Sequence, residues 1–137
     1  SPFKQARTWE IIKACIQLAK VHRMIKRSGI KELLEKIKNS SKSSSYQPTD
    51  LEISQLAAAI DAASLLYPQK TLCLAWAATF ALMAGKKKWL CSFVIGIQTN
   101  PFYAHAWAET ADGTVINDDP AIRETLSMIL REPHKGN

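Results

Sequence analysis

Cys73, His105 and Asp118 are of the types that serve as a thiol nucleophile, the general base that activates it and the acid that orients the base. A thiol near neutral pH is only a few per cent thiolate, so a nucleophilic cysteine needs a helix N-terminus or a neighbouring imidazolium to lower its pKa. These residues can act together only if Cys73 opens a helix, the strand carrying His105 crosses the start of that helix, and Asp118 falls in register with the histidine.

The stretch around them has the required elements. In TLCLAWAATFALMAG, Thr71 is the expected N-cap, which puts Cys73 in the first turn; helix formers run to Ala84 and Gly85 supplies a C′ residue. This helix is apolar almost all round, so it should be the buried central one. Lys86 to Lys88 then sit at its negative end. Beyond them the period changes from 3.6 to 2. Leu90 to Gln98 reads as a strand, Thr99-Asn100-Pro101 as a break, Tyr103 to Thr110 as a second strand, and Asp112-Gly113 as a tight turn into Thr114 to Asp118.

A two-residue loop would set Ala111 against Thr114 and Asp118 against Trp107. Asp118 would then share a face with His105 at a diagonal backbone offset of roughly 7 Å, and Asp119 would point away. A three-residue loop would reverse the choice, so preferring Asp118 over Asp119 or Asn117 depends on the turn. Ala104, Ala106 and Ala108 on the alternate face would let a helix lie close. The face with His105, Trp107 and Glu109 is too polar for plain core. Backbone N–H groups at the start of the Cys73 helix, with Gln69 as a side-chain donor, would make an oxyanion hole, and Trp76 and Trp107 are the expected substrate-contacting aromatics.

Upstream, Trp9, Ile12, Ile16 and Ala19, with Ile11, Cys15 and Leu18, form a stripe of helical period from Thr8 to about Lys26, which places Cys15 in the core and leaves His22 at the helix edge without a chemical role. Ser28-Gly29 ends this helix, and Ile30 to Ile37 is a second amphipathic piece. Asn39 to Gln47 is serine-rich and reads as a mobile linker. Thr49 and Glu52 have the spacing of a capping box, opening a helix to about Leu66 that Pro68 prevents from continuing. Pro120 to Leu130 reads as a closing helix, followed by a tail with His134. The expected organisation is a basic helical part (1–38), a linker (39–48), a catalytic core (49–132) and a tail (133–137), of α+β class.

At 137 residues and 15.3 kDa, with 47% hydrophobic and 22% charged residues, the chain is one globular domain. No apolar run is long enough to span a bilayer, and no h-region follows Lys4 and Arg7, so neither a membrane span nor a signal peptide is expected. Three cysteines without CxxC spacing argue against a disulfide scaffold or zinc ribbon and for a reducing, cytoplasmic compartment. The net charge of +6 is uneven: residues 1–49 hold eleven Lys/Arg against three acids, residues 50–137 seven against nine. A basic binding module for nucleic acid or an acidic partner is the rival reading. The absence of Phe, Trp and Tyr from residues 10 to 45 weakens the nucleic-acid version. A metal site from His105, Asp118, Asp119 and a cysteine lacks ligand spacing.

The segment from Thr71 to Asp119 resembles the transglutaminase-like cysteine peptidases of lasso-peptide biosynthesis: a CL-containing helix, a strand ending IGI, then AHAWAE and a DG…IND element. Ala108 stands where that family usually has Val. The resemblance implies a papain/transglutaminase-like fold, with N-terminal helices and a central cysteine-bearing helix on a small antiparallel sheet. It also implies removal of the leader from a ribosomally made, bacterial cytoplasmic precursor, with Cys73 as nucleophile, His105 as base and Asp118 as orienting acid, and no cofactor, nucleic acid or membrane. The implied partners are a separate leader-recognition protein, the precursor peptide and a downstream lasso cyclase. Acyl transfer to an amine is the alternative outcome of the same chemistry.

Overall fold

The computed structural model describes residues 6–68, 72–99, 102–116 and 118–132. In chain order the elements are α1 (Thr8–Ser28), α2 (Ile30–Ser40), α3 (Asp50–Leu66), α4 (Cys73–Lys86), β1 (Cys91–Thr99), β2 (Phe102–Thr110), β3 (Val115–Ile116), α5 (Ile122–Thr125) and β4 (Ser127–Glu132). The strands form one antiparallel sheet of order β3-β2-β1-β4. A layer of helices covers one face: α4 lies on β1 and β2, while α1, α2 and α3 pack round α4. This is the expected α+β arrangement, with the cysteine-bearing helix at its centre.

α4 is buried from Ala77 to Gly85, as its all-round apolar surface requires. Ala106 and Ala108 present small side chains to it from β2. Phe80 and Phe93 are fully buried in this core, each stabilising the fold by about 1.5–3 kcal/mol relative to exposure. The capping box is present at α3, where Thr49 Oγ1 accepts from Glu52 N–H (3.1 Å) and Glu52 Oε1 accepts from Thr49 N–H (2.9 Å). Gly29 ends α1 with φ +71°, and its N–H bonds the Ile25 carbonyl.

Four details differ from the sequence reading. In α1 the stripe facing the core is Ile11, Ala14, Leu18, Val21 and Met24, whereas Trp9, Ile12 and Ile16 are 64%, 43% and 53% exposed. The buried stripe, with Gln17 at its side, carries no charge along the helix; the other runs into Lys20 and Arg23, so the first gains more by burial. Gly85 lies within α4 rather than beyond it. A Cβ there would stand 2.5 Å from Ser40 Oγ, so glycine allows the end of α2 to approach, and Lys88 takes the positive φ (65°). Pro120 to Leu130 is not one helix: α5 is a single turn, and β4 then pairs with β1, setting Leu130 opposite Ile95 and Arg131 opposite Val94. Pairing satisfies backbone groups that the β1 edge would otherwise leave open. Finally, the serine-rich stretch makes hydrogen bonds. Ser45 and Tyr46 N–H donate to the Lys88 carbonyl (3.0 and 2.8 Å), and Leu90 N–H donates to the Tyr46 carbonyl (2.8 Å).

Candidate active site

Cys73 is the first residue of α4, after Leu72 as N-cap (φ −83°, ψ 164°), and among the described residues no side chain caps this end. The first-turn N–H groups therefore have no intrahelical acceptor, and they stand beside the cysteine at the positive end of the helix dipole. The expected cap Thr71 and the expected oxyanion donor Gln69 lie outside the described residues. Cys73, Leu72, Trp76, Asp61, Ala106, Ile116 and Asp118 line a cleft of about 230 Å³.

His105 lies on β2 and its Nε2 is 2.5 Å from Asp118 Oδ2. A carboxylate only accepts, so Nε2–H is the donor and Nδ1 is the nitrogen left free to take a proton. Asp118 is itself held, its Oδ1 accepting Asp119 N–H (2.8 Å), while Asp119 Oδ1 accepts Ala121 N–H (3.0 Å). Cys73 shares the cleft with Asp118 but makes no hydrogen bond to the imidazole among the described residues.

The pairing of His105 with Asp118 arises by a different route from the one the turn predicted. Ala108 faces Ile116 and Glu109 faces Val115, one residue off the two-residue register, so the loop is Ala111-Asp112-Gly113. Gly113 takes φ +89° and its N–H bonds the Thr110 carbonyl (3.0 Å). The Thr110 hydroxyl bonds the Asp112 carboxylate, which also accepts from the Thr114 hydroxyl (3.0 Å). These hydroxyls hold the Asp112 carboxyl below its usual range. In an extended ladder this register would turn Asp118 away from His105. The ladder ends at Ile116, however, and Asp118 reaches the imidazole from beyond it. Asn117 lies outside the described residues.

Behind His105 is a buried network that the sequence did not announce. Trp107, expected to meet substrate, is 3% exposed; its indole N–H donates to Glu109 Oε2 (2.8 Å) and its ring stacks on His105 with centroids 6.1 Å apart. Trp107 is thus packed behind the imidazole and does not line the described cleft. Glu109 is fully buried and Arg131 Nη1 donates to its Oε1 (2.7 Å), tying β4 to β2 across β1. Gly96, opposite His105 on β1, makes room for this packing, because a Cβ there would stand 2.6 Å from Trp107 Cη2. Trp76 does line the cleft, and donates its indole N–H to Asp61 Oδ1 (2.9 Å). Asp61 was legible only as the lone acid in LAAAIDAASLL.

The other cysteines sit differently. Burial pushes the Cys91 thiol up to about 12 and raises that of Cys15. Among the described residues no three His, Cys, Asp or Glu side chains gather into a group fit to hold a metal ion, and no helix is long and apolar enough to cross a membrane.

A family model described as the transglutaminase-like superfamily matches residues 14–131, from within α1 to the end of β4. The chain belongs to the transglutaminase-like superfamily. The chain is also similar to the microcin J25-processing protein McjB of Escherichia coli, 38% identical over 60 residues. That match covers 44% of this chain and 28% of the relative, so it spans little more than a quarter of McjB. No solved structure matches. The superfamily assignment agrees with the architecture, in which a cysteine opens a central helix packed on an antiparallel sheet.

Proposed function

We propose that this chain is a cysteine peptidase that removes the leader from a ribosomally made precursor of the lasso-peptide type, with Cys73 as nucleophile, His105 as general base and Asp118 as the group that orients the base. One observation carries this reading: His105 Nε2 is tied to Asp118 Oδ2 at 2.5 Å, while Asp118 and Cys73 line one cleft. The similarity to a microcin-processing protein supplies the substrate class.

In this mechanism His105 Nδ1 takes the Cys73 proton and the thiolate attacks the carbonyl at the end of the leader. The resulting oxyanion is met by N–H groups of the first turn of α4, with the Gln69 amide as an added donor. Imidazolium then protonates the departing amine, which becomes the free N-terminus of the core peptide. Water, deprotonated by His105, hydrolyses the leader thioester and regenerates the thiol. A separate leader-recognition protein presents the precursor, and a cyclase acts on the freed core peptide; the site belongs to the cytoplasm, where thiols stay reduced. Trp76, its indole fixed by Asp61, is the substrate-contacting aromatic.

Incubation of the protein and its recognition partner with a lasso-type precursor tests the reading. Iodoacetamide should abolish leader release and EDTA should leave it intact; loss with EDTA and survival of alkylation would point to metal chemistry instead. Added amine competing with water for the thioester would reveal the acyl-transfer alternative.

A further inference from the structure

The apolar stripe of α1 that stays out of the core adjoins a groove with a charge of its own. Trp9, Ile12 and Ile16 lie at helical spacing on the solvent side of α1. Beside them a groove of about 350 Å³ runs between α1 and the end of α4, with Ile16 and Met83 as apolar lining and Lys13, Lys86, Lys87 and Glu10 as its charged lining. Lys87 is neutralised by Glu10 (2.6 Å). Lys86 has no such partner among the described residues: its ammonium donates to the Gln17 amide oxygen (2.9 Å). Burial, and then the nearby ammonium groups of Lys20, Lys13 and Lys36, hold Lys86 below the usual lysine range. Three lysines thus line the groove against the single acid Glu10, which Lys87 takes, and an acidic ligand would complement the Lys13 and Lys86 ammonium groups that remain.

We infer that this groove between α1 and the C-terminal end of α4 is a docking site for an acidic amphipathic peptide segment of a partner polypeptide, with carboxylates on Lys13 and Lys86 and an aliphatic or aromatic side chain inserted against Ile16 and Met83. The concave, side-chain-sized cavity fits an inserted residue rather than a flat bilayer. Nucleic acid would find phosphate partners, but the groove's lining holds no aromatic side chain on which a base could stack. A second copy of this chain would bring lysine against lysine. Cys73 and Met83 lie at opposite ends of α4, about 15 Å apart at the helical rise of 1.5 Å per residue. The groove is thus an anchoring surface separate from the cleft, and its occupancy does not depend on the peptidase reading.

The test is fluorescence anisotropy on the full chain with a labelled 18-residue glutamate peptide carrying leucines at i, i+3 and i+7. The comparison ligands are the same peptide with serine for leucine, a labelled oligothymidylate and anionic phosphatidylserine vesicles. We expect the leucine peptide to bind at least about tenfold more tightly than any of these, and to weaken by at least about tenfold with Lys86→Glu, with Lys13→Glu and between low and physiological salt. Both lysines are on the surface, and circular dichroism checks that the variants remain folded. Ile16→Ser should weaken the leucine peptide and leave the serine peptide unchanged. Absence of binding, equal binding of the serine peptide, oligonucleotide or vesicles, or indifference to both reversals would overturn the inference.

Discussion

Gly96→Ala examines whether the packing behind His105 is what holds the imidazole in place. The new Cβ would stand 2.6 Å from Trp107 Cη2, 2.9 Å from Cζ3 and 3.1 Å from Leu126 Cβ. Carbon atoms rest about 3.5–4.0 Å apart, so the indole must withdraw by about 1 Å. That shift would stretch its 2.8 Å bond to Glu109 beyond hydrogen-bonding range and move the ring stacked on His105. Overpacking costs about 1–3 kcal/mol, and a hydrogen bond to a charged group contributes about 1.5–3 kcal/mol. The expected loss, from both costs together, is about 2.5–6 kcal/mol in urea unfolding followed by far-UV circular dichroism. Trp107→Phe removes both overlapping carbons at the cost of the bond to Glu109. On that background Gly96→Ala should cost little, giving a coupling of at least about 1 kcal/mol between the two sites. Gly96→Ala unfolding at the wild-type urea concentration, or single effects that add within about 0.5 kcal/mol, would refute the reasoning.

Three further outcomes follow from the same geometry. Asp118→Ala should lower leader release by about a thousandfold or more, because Nε2 loses its partner. Asp119→Ala, which removes only the bond to Ala121 N–H, should keep activity within about tenfold; a reversed ranking, read from initial rates, would assign the triad to Asp119. Limited iodoacetamide at neutral pH, read by peptide mapping, should label Cys73 before Cys91 or Cys15, whose thiols burial holds protonated; Cys91 labelling first would contradict this. His22, stacked on Tyr67 with its Nε2 buried and without a hydrogen-bond partner among the described residues, has its pKa lowered by desolvation. The unfolded chain therefore takes up this proton at a higher pH than the folded one, so stability is full above about 6.5 and falls as pH drops below it. His22→Gln should flatten the difference in urea midpoint between pH 7.5 and 5.5, and an unchanged difference would remove His22 from the account.

Features written in local chemistry were legible in the sequence. The capping box at Thr49 and Glu52, the end of α1 at Gly29 and the change of period after α4 each depend on a few neighbouring residues, and each is present as read. What escaped depends on contacts between distant parts of the chain. Which of two apolar stripes of α1 turns inward is decided by α3 and α4. The pairing of β4 with β1 overrides the local helical pattern of Pro120 to Leu130. Arg131 reaches Glu109 over 22 residues, and Gly85 and Gly96 are explained by a serine and an indole brought alongside by the fold. At the site, Cys73 at a helix start and His105 beside Asp118 are where the residue types suggested. The route to Asp118 was misjudged, because Gly113 closes a three-residue loop in which Thr110 and Asp112 take part.

The central claim is that Cys73 performs covalent chemistry with His105 as its base. Mass spectrometry of a lasso-type precursor incubated with the protein and its recognition partner, comparing wild type with Cys73→Ala and His105→Ala, tests it most directly. The account predicts free leader with wild type and with neither variant, and, after an acid quench, wild-type protein heavier by the mass of the leader acyl group on Cys73. Leader release by both variants at the wild-type rate would contradict it.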